Sequence, residues 1–139
     1  IVGVDAKGRA SVPAPFRDIL IAQGLEGMNA QLSLSDPAIE CFGTEQLNKR
    51  QGEIDGLDPF SPELKDSLYT FFGRSTELSF DPEGRVTLPE SMITHAALSE
   101  RVAFVGLGRY FAIWEPEALA AFMRAAEKRI AARMRPGQA

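Results

Sequence analysis

Asp5-Ala-Lys-Gly8-Arg9-Ala-Ser-Val12-Pro13 returns later in the chain as Asp81-Pro-Glu-Gly84-Arg85-Val-Thr-Leu88-Pro89, 76 positions on throughout. Asp, Gly, Arg and Pro are identical in the two copies, and Ala10/Val86, Ser11/Thr87 and Val12/Leu88 are similar pairs. The likeness extends outward. Val2 and Val4 before the first copy match Leu78 and Phe80 before the second, and Phe16 matches Met92 beyond it. Further on, Phe42-Gly-Thr-Glu45-Gln-Leu47 echoes Trp114-Glu-Pro-Glu117-Ala-Leu119 at an offset of 72. Self-similarity on this scale marks a duplicated unit, here residues 1–60 and 61–139.

Each copy has the same outline. Ile1–Val4 and Thr76–Phe80 read as strands. Asp-Pro-Glu-Gly at 81–84 is a strong turn signal, because proline presets φ and glycine accepts the strained exit; Asp5-Ala-Lys-Gly8 is the same turn without the proline. Arg9–Val12 and Arg85–Leu88 return as strands, which puts each motif at a hairpin tip. Proline stops each strand, and a short helix follows, with Phe16, Ile19 and Leu20 inward in the first copy and Met92, Ile93 and Ala96 in the second. Gln31–Leu34 with Ile39–Phe42, and Val102–Val105 with Tyr110–Trp114, read as a second pair of strands, the latter turning at Gly106-Leu-Gly108. Ser61-Pro62-Glu63 starts a helix whose Leu64, Leu68, Phe71 and Phe72 share a face. Pro116 opens the last helix, striped by Leu119, Phe122, Met123, Ala126, Ile130 and Met134, and Pro136-Gly137 ends it. So short a module buries little alone, and the two copies are expected to share one core. The fold class is α+β: a small β-barrel of two duplicated hairpin modules with peripheral helices.

Composition bounds the function. The 139 residues are 45% apolar and 24% charged, ordinary for a soluble globular domain. No apolar run reaches the roughly 18–20 residues that span a membrane, and Ile1–Lys7 lacks the order of a secretory signal. The lone cysteine, Cys41, excludes an internal disulfide and a cysteine zinc site, so a reducing cytoplasmic setting is expected. A net charge of −4 disfavours a nonspecific nucleic-acid coat but not local basic patches. The charge is segregated, with eight acids against three bases in residues 36–66 and five bases against one acid in residues 124–135.

A turn alone needs the Asp and Gly of the motif, with Arg as an exposed solubilising residue. Turn chemistry does not ask for arginine at the next position in both copies. Asp four residues before Arg across a tight turn can pair with the guanidinium and hold its fork in one orientation. A guanidinium held so is suited to guanine O6 and N7 or to a phosphate. Two of them related by a pseudo-dyad would meet DNA as paired prongs. Lys7 adds a phosphate contact in the first copy, whereas Glu83 at the matching place makes the second less basic.

At these residues the chain resembles MraZ, a bacterial family of transcription regulators of the division and cell-wall gene cluster that carries two D-x-x-G-R, or DxxxR, signatures. Asp5–Arg17, Asp81–Pro89 and the later Val102–Trp114 carry the resemblance, which covers nearly the whole chain. It implies a tandem swapped-hairpin barrel similar to the AbrB DNA-binding fold. It also implies a ring-like homo-oligomer, nucleoid-associated, that binds direct repeats in double-stranded promoter DNA upstream of its own operon. Asp5 and Arg9 match the first signature, Asp81 and Arg85 the second. Lys7, Arg9 and Arg85 are the expected DNA contacts, and Asp5, Gly8, Asp81 and Gly84 orient the arginines. Arg17 and Arg74 are accessory candidates for the DNA backbone. Only Arg74 supplies an arginine in Ser67–Arg74, a stretch that is richer in the family.

No catalytic residue, metal site, cofactor or small-molecule substrate is expected. His95, the single histidine, has no sequence-evident nucleophile or carboxylate partner and matches Ile19, so it reads as structural. Cys41 reads as a small buried thiol. Asp55, Asp58 and Glu63 lack the regular oxygen-ligand spacing of a calcium loop and read as a solvated acidic linker. Phe42 and Trp114 read as core. The apolar stripe of the last helix is either core or a partner face. Two other functions compete with DNA binding. An enzyme binding carboxylates through the Asp–Arg units would need a nucleophile–base pair that is not evident. A ring or scaffold protein whose tips bind another protein would share the fold.

Overall fold

Gly8 and Gly84 adopt φ of +79° and +77°, the left-handed region that only glycine enters without strain. They turn the chain between β1 (Val2–Gly3) and β2 (Arg9–Ser11), and again between β5 (Thr76–Ser79) and β6 (Arg85–Thr87). The other elements are α1 (Ala14–Ala22), β3 (Gly27–Leu32), β4 (Ala38–Phe42), α2 (Thr44–Asp55), α3 (Pro62–Phe71), α4 (Glu90–His95), β7 (Arg101–Gly106), β8 (Phe111–Trp114) and α5 (Pro116–Met134). The computed structural model describes residues 1–135. Pro136-Gly137, expected to end the last helix, lies outside the described residues.

A curled, antiparallel six-stranded sheet in the order β1-β7-β8-β4-β3-β5 forms a half-barrel, and β2 pairs with β6 as a separate ribbon. The motif strands exchange partners. Within the first motif only the Val4–Ala10 bridge joins the two arms. Their main pairings run to the other half: β1 lies on β7, with Val2 opposite Val102, and β5 lies on β3, with Leu78 opposite Met28. The register carries a two-fold relation. Ala10 and Val86, equivalent in the repeat, face each other across the ribbon. Glu40 and Ala112, equivalent at the second offset, face each other across β4 and β8.

One core joins both halves. Ala10, Val12 and Ile39 from the first pack with Val86, Val102 and Ile113 from the second, all nearly inaccessible to water. Each fully buried Val or Ile contributes about 1.5–3 kcal/mol. Smaller clusters flank it, Trp114 under α5 and Phe42 with Ile54 and Phe71 under α2 and α3. Cys41 is wholly buried, and burial pushes its thiol far above the ordinary range.

Local signals account for most helix ends. The Ser61 side chain accepts from the Leu64 amide, and the Glu115 carboxylate accepts from Glu117 and Ala118. Several expectations need correction. Ile19 is 58% exposed, because α1 is held by Leu20 and by Phe16, whose ring stacks on Phe111 at 4.7 Å. Leu68 also faces solvent, leaving Phe71 as the buried residue of α3. The stretch holding Asp55, Asp58 and Glu63 is not a plain linker: Asp55 ends α2, a polar helix without an apolar stripe, the Asp58 carboxylate accepts from the Phe60 amide in the turn before α3, and Glu63 lies in the first turn of α3. The stripe of α5 is core only at its start, where Leu119 packs beside Trp114; Phe122, Met123, Ile130 and Met134 are exposed.

Candidate nucleic-acid interface

The two tips are built by one piece of local chemistry. In the first, one Asp5 oxygen accepts from the Lys7 and Arg9 amides, each at 2.9 Å, and the other from Arg9 Nε at 2.6 Å. In the second, Asp81 accepts from the Glu83 and Arg85 amides at 2.9 Å and from Arg85 Nε at 2.7 Å. The aspartate therefore caps the turn and fixes the guanidinium together. Both carboxyls are held below the usual carboxylate range, chiefly by the amides of Arg9 and Arg85 and also by their guanidinium groups.

Each tip is also locked by the opposite half. The Leu88 amide donates to the Gly8 carbonyl at 2.8 Å, and the Val12 amide donates to the Gly84 carbonyl at 3.2 Å. These bonds extend the central ribbon to the turns themselves. The two arginines are consequently neighbours, with Arg85 Nη1 3.9 Å from the Asp5 carboxylate of the first tip.

Arg17 belongs to the second tip, although in sequence it follows the first motif. Phe16 anchors α1, and Arg17 Nη1 donates to the Val12 carbonyl at 3.0 Å. Its guanidinium also covers Gly84, where an added Cβ would stand only 2.5 Å from Nη1. The equivalent position beside Gly8 is taken by Ile93. Lys7 is exposed on the first tip. Arg74 precedes β5, at the end of that strand away from Asp81.

The family follows from comparison with known proteins. Residues 71–135 match the family described as "MraZ protein, putative antitoxin-like". A relative named transcriptional regulator MraZ from Xanthobacter autotrophicus is 44% identical over 127 residues, 91% of this chain and 81% of the relative. The proteins of the same name from Azorhizobium caulinodans and Rickettsia africae are 39% and 42% identical, each over 91% of this chain and over 81% and 85% of their own length. The chain belongs to the MraZ family.

In this MraZ-family chain the duplicated tips are not electrostatic equals. Arg9 pairs with Asp5 alone, leaving its two Nη groups without a carboxylate among the described residues. Arg85 meets Asp81 through Nε, Glu83 through Nη2 at 3.2 Å and Asp5 through Nη1. Its side-chain hydrogen bond with Asp81, followed by the surrounding carboxylates, raises its pKa.

Two contributors went unseen in the sequence. Gly27 has no motif around it, yet a Cβ there would stand 2.1 Å from the Leu78 carbonyl, so its emptiness admits β5. The amides of Val12 and Leu88 lock the tips by backbone position, which side-chain type does not reveal. His95 Nε2 lies 3.0 Å from the Asp36 carbonyl, tying α4 to the turn between β3 and β4. Among the described residues no group of three His, Cys, Asp or Glu could hold a metal, and no helix is long and apolar enough to cross a membrane.

Proposed function

We propose that this chain is a sequence-specific, DNA-binding transcriptional regulator without catalytic activity, acting in the cytoplasm at the nucleoid. In this reading the modules 1–60 and 61–139 form a tandem pair. Lys7, Arg9 and Arg85 contact double-stranded promoter DNA, Asp5, Gly8, Asp81 and Gly84 hold those side chains, and Arg17 adds a backbone contact beside the second tip. The target is direct repeats upstream of its own operon in the division and cell-wall gene cluster. The observation that carries the proposal is the pair of guanidinium groups fixed by Asp5 and Asp81 on adjoining turns. Relatives named transcriptional regulator, at 39–44% identity, support it.

Charge arithmetic makes a ring-like homo-oligomer part of the same reading. A protomer offers few cations at its tips, and a few phosphate contacts bind weakly at physiological salt. Several protomers, each on one repeat, multiply effective affinity by roughly 10²–10⁴ without new contacts. A chain of net charge −4 then works as a regulator, since the cations that matter are local.

The test is footprinting of the region upstream of the protein's own gene, with a scrambled duplex and a salt series beside it. Protection confined to regularly spaced repeats is expected. Equal protection of the scrambled duplex at every salt concentration would contradict sequence-specific recognition, and no protection of either duplex would leave the tips free for a protein partner.

A further inference from the structure

Position 83 breaks the symmetry of the two tips. Its counterpart in the first copy is Lys7, a cation beside Arg9. Glu83 instead places a carboxylate 3.2 Å from Arg85 Nη2. Asp81 already occupies Nε of Arg85, and Asp5 stands 3.9 Å from Nη1. Every nitrogen of this guanidinium thus faces a carboxylate. On Arg9 the only carboxylate partner among the described residues is at Nε. An arginine reads guanine or clamps a phosphate through a free pair of N–H groups. Arg9 has no carboxylate at that pair among the described residues, whereas Arg85 has Glu83 3.2 Å from Nη2 and Asp5 3.9 Å from Nη1.

We propose that Glu83 is an internal counter-anion that holds Arg85 closed, so that the Lys7–Arg9 tip engages DNA first and Arg85 engages only when a DNA acceptor displaces Glu83. This rests on the DNA-binding reading above and deepens it by assigning different roles to the two tips. The latch suits displacement, because Glu83 is 71% exposed and its pair with Arg85 is a surface ion pair, weak and reversible. Asp81 is different. It is bonded to two amides as well as to the guanidinium and stays in place as the support. Among the described residues the Glu83 side chain makes no hydrogen bond to the turn, so its removal leaves the turn intact.

The experiment is fluorescence anisotropy of full-length protein on a duplex from upstream of its own gene, over a salt series, for wild type, Glu83→Gln, Arg85→Ala and the double variant. Thermal unfolding and sedimentation of each variant run alongside. Glu83→Gln is expected to tighten binding by about two- to fivefold, the affinity equivalent of one exposed ion pair. The slope of log K against log salt should steepen by as much as about 0.9, one further phosphate contact. In the Arg85→Ala background the same substitution should give no gain. A gain that persists without Arg85 would make Glu83 a general repulsive charge and overturn the latch, as would an unchanged Glu83→Gln beside a wild type that binds. A wild type that binds neither this duplex nor a scrambled one would instead overturn the DNA reading itself.

Discussion

Arg9 and Arg85 share a motif, yet the residues around them differ enough that substituting each has different consequences. Arg9→Ala removes the guanidinium whose Nη groups meet no carboxylate among the described residues. Its affinity for the native duplex should fall about tenfold or more, the range for a lost bidentate contact. Anisotropy at fixed salt measures this. Gly84→Ala is expected to destabilise by about 2 kcal/mol or more, since a left-handed alanine costs about 1–2 kcal/mol and its Cβ also displaces Arg17. Gly24→Ala has the same kind of φ but nothing within 4 Å, so it should incur the backbone cost alone. Urea unfolding of the two variants separates steric crowding from strain. At this scale the sequence was highly legible: Asp-x-x-Gly-Arg states the turn, its cap and the held arginine. The packing of Arg17 over Gly84 was not, because it crosses to the other half of the repeat and no local rule points there.

At the scale of elements, strands, capped helices and the β3–β4 and β7–β8 pairs were read from turns, prolines and the serine at 61, whereas the partners of the motif strands were not. Periodicity marks β1 and β5 as strands but says nothing about β7 and β3 as their neighbours. The exchange depends on Gly27, where the Leu78 carbonyl approaches too closely for any side chain. Gly27→Val should therefore detach β5 from β3 and destabilise by about 3 kcal/mol, at the upper end of overpacking effects. Hydrogen exchange of the Met28 and Leu78 amides would report the loss locally. α2 was invisible for another reason. Its twelve residues bury little besides Gln46 and Ile54, so it lacks an apolar stripe. α5 shows the converse: a clear stripe predicts a helix, but one chain covers only its first turns.

For the whole molecule, the two-fold register through Ala10–Val86 and Glu40–Ala112 turns a repeat of sequence into a pair of adjoining tips on one surface. Acid should affect that surface late. The Asp5 and Asp81 carboxyls are depressed in the folded state, so their contribution is fully present above the ordinary aspartate pKa and is lost only as pH falls through the lower folded value. Affinity at constant ionic strength should thus stay flat from about pH 5 to 8 as far as these groups are concerned. A titration monitored by anisotropy checks this, and a fall in affinity centred within that range would contradict it. An obligate monomer should bind a single repeat weakly, because avidity is absent. Sedimentation paired with affinity measurement on one and several repeats tests that.

The central claim is that the two fixed arginines are the DNA-reading groups of an otherwise acidic chain. The most direct measurement is the affinity of Arg9→Ala/Arg85→Ala for the native upstream duplex, with oligomeric state recorded on the same sample. The account predicts that binding collapses to the level of scrambled DNA while assembly and unfolding temperature are retained. Undiminished, sequence-preferring binding by the intact double variant would contradict it.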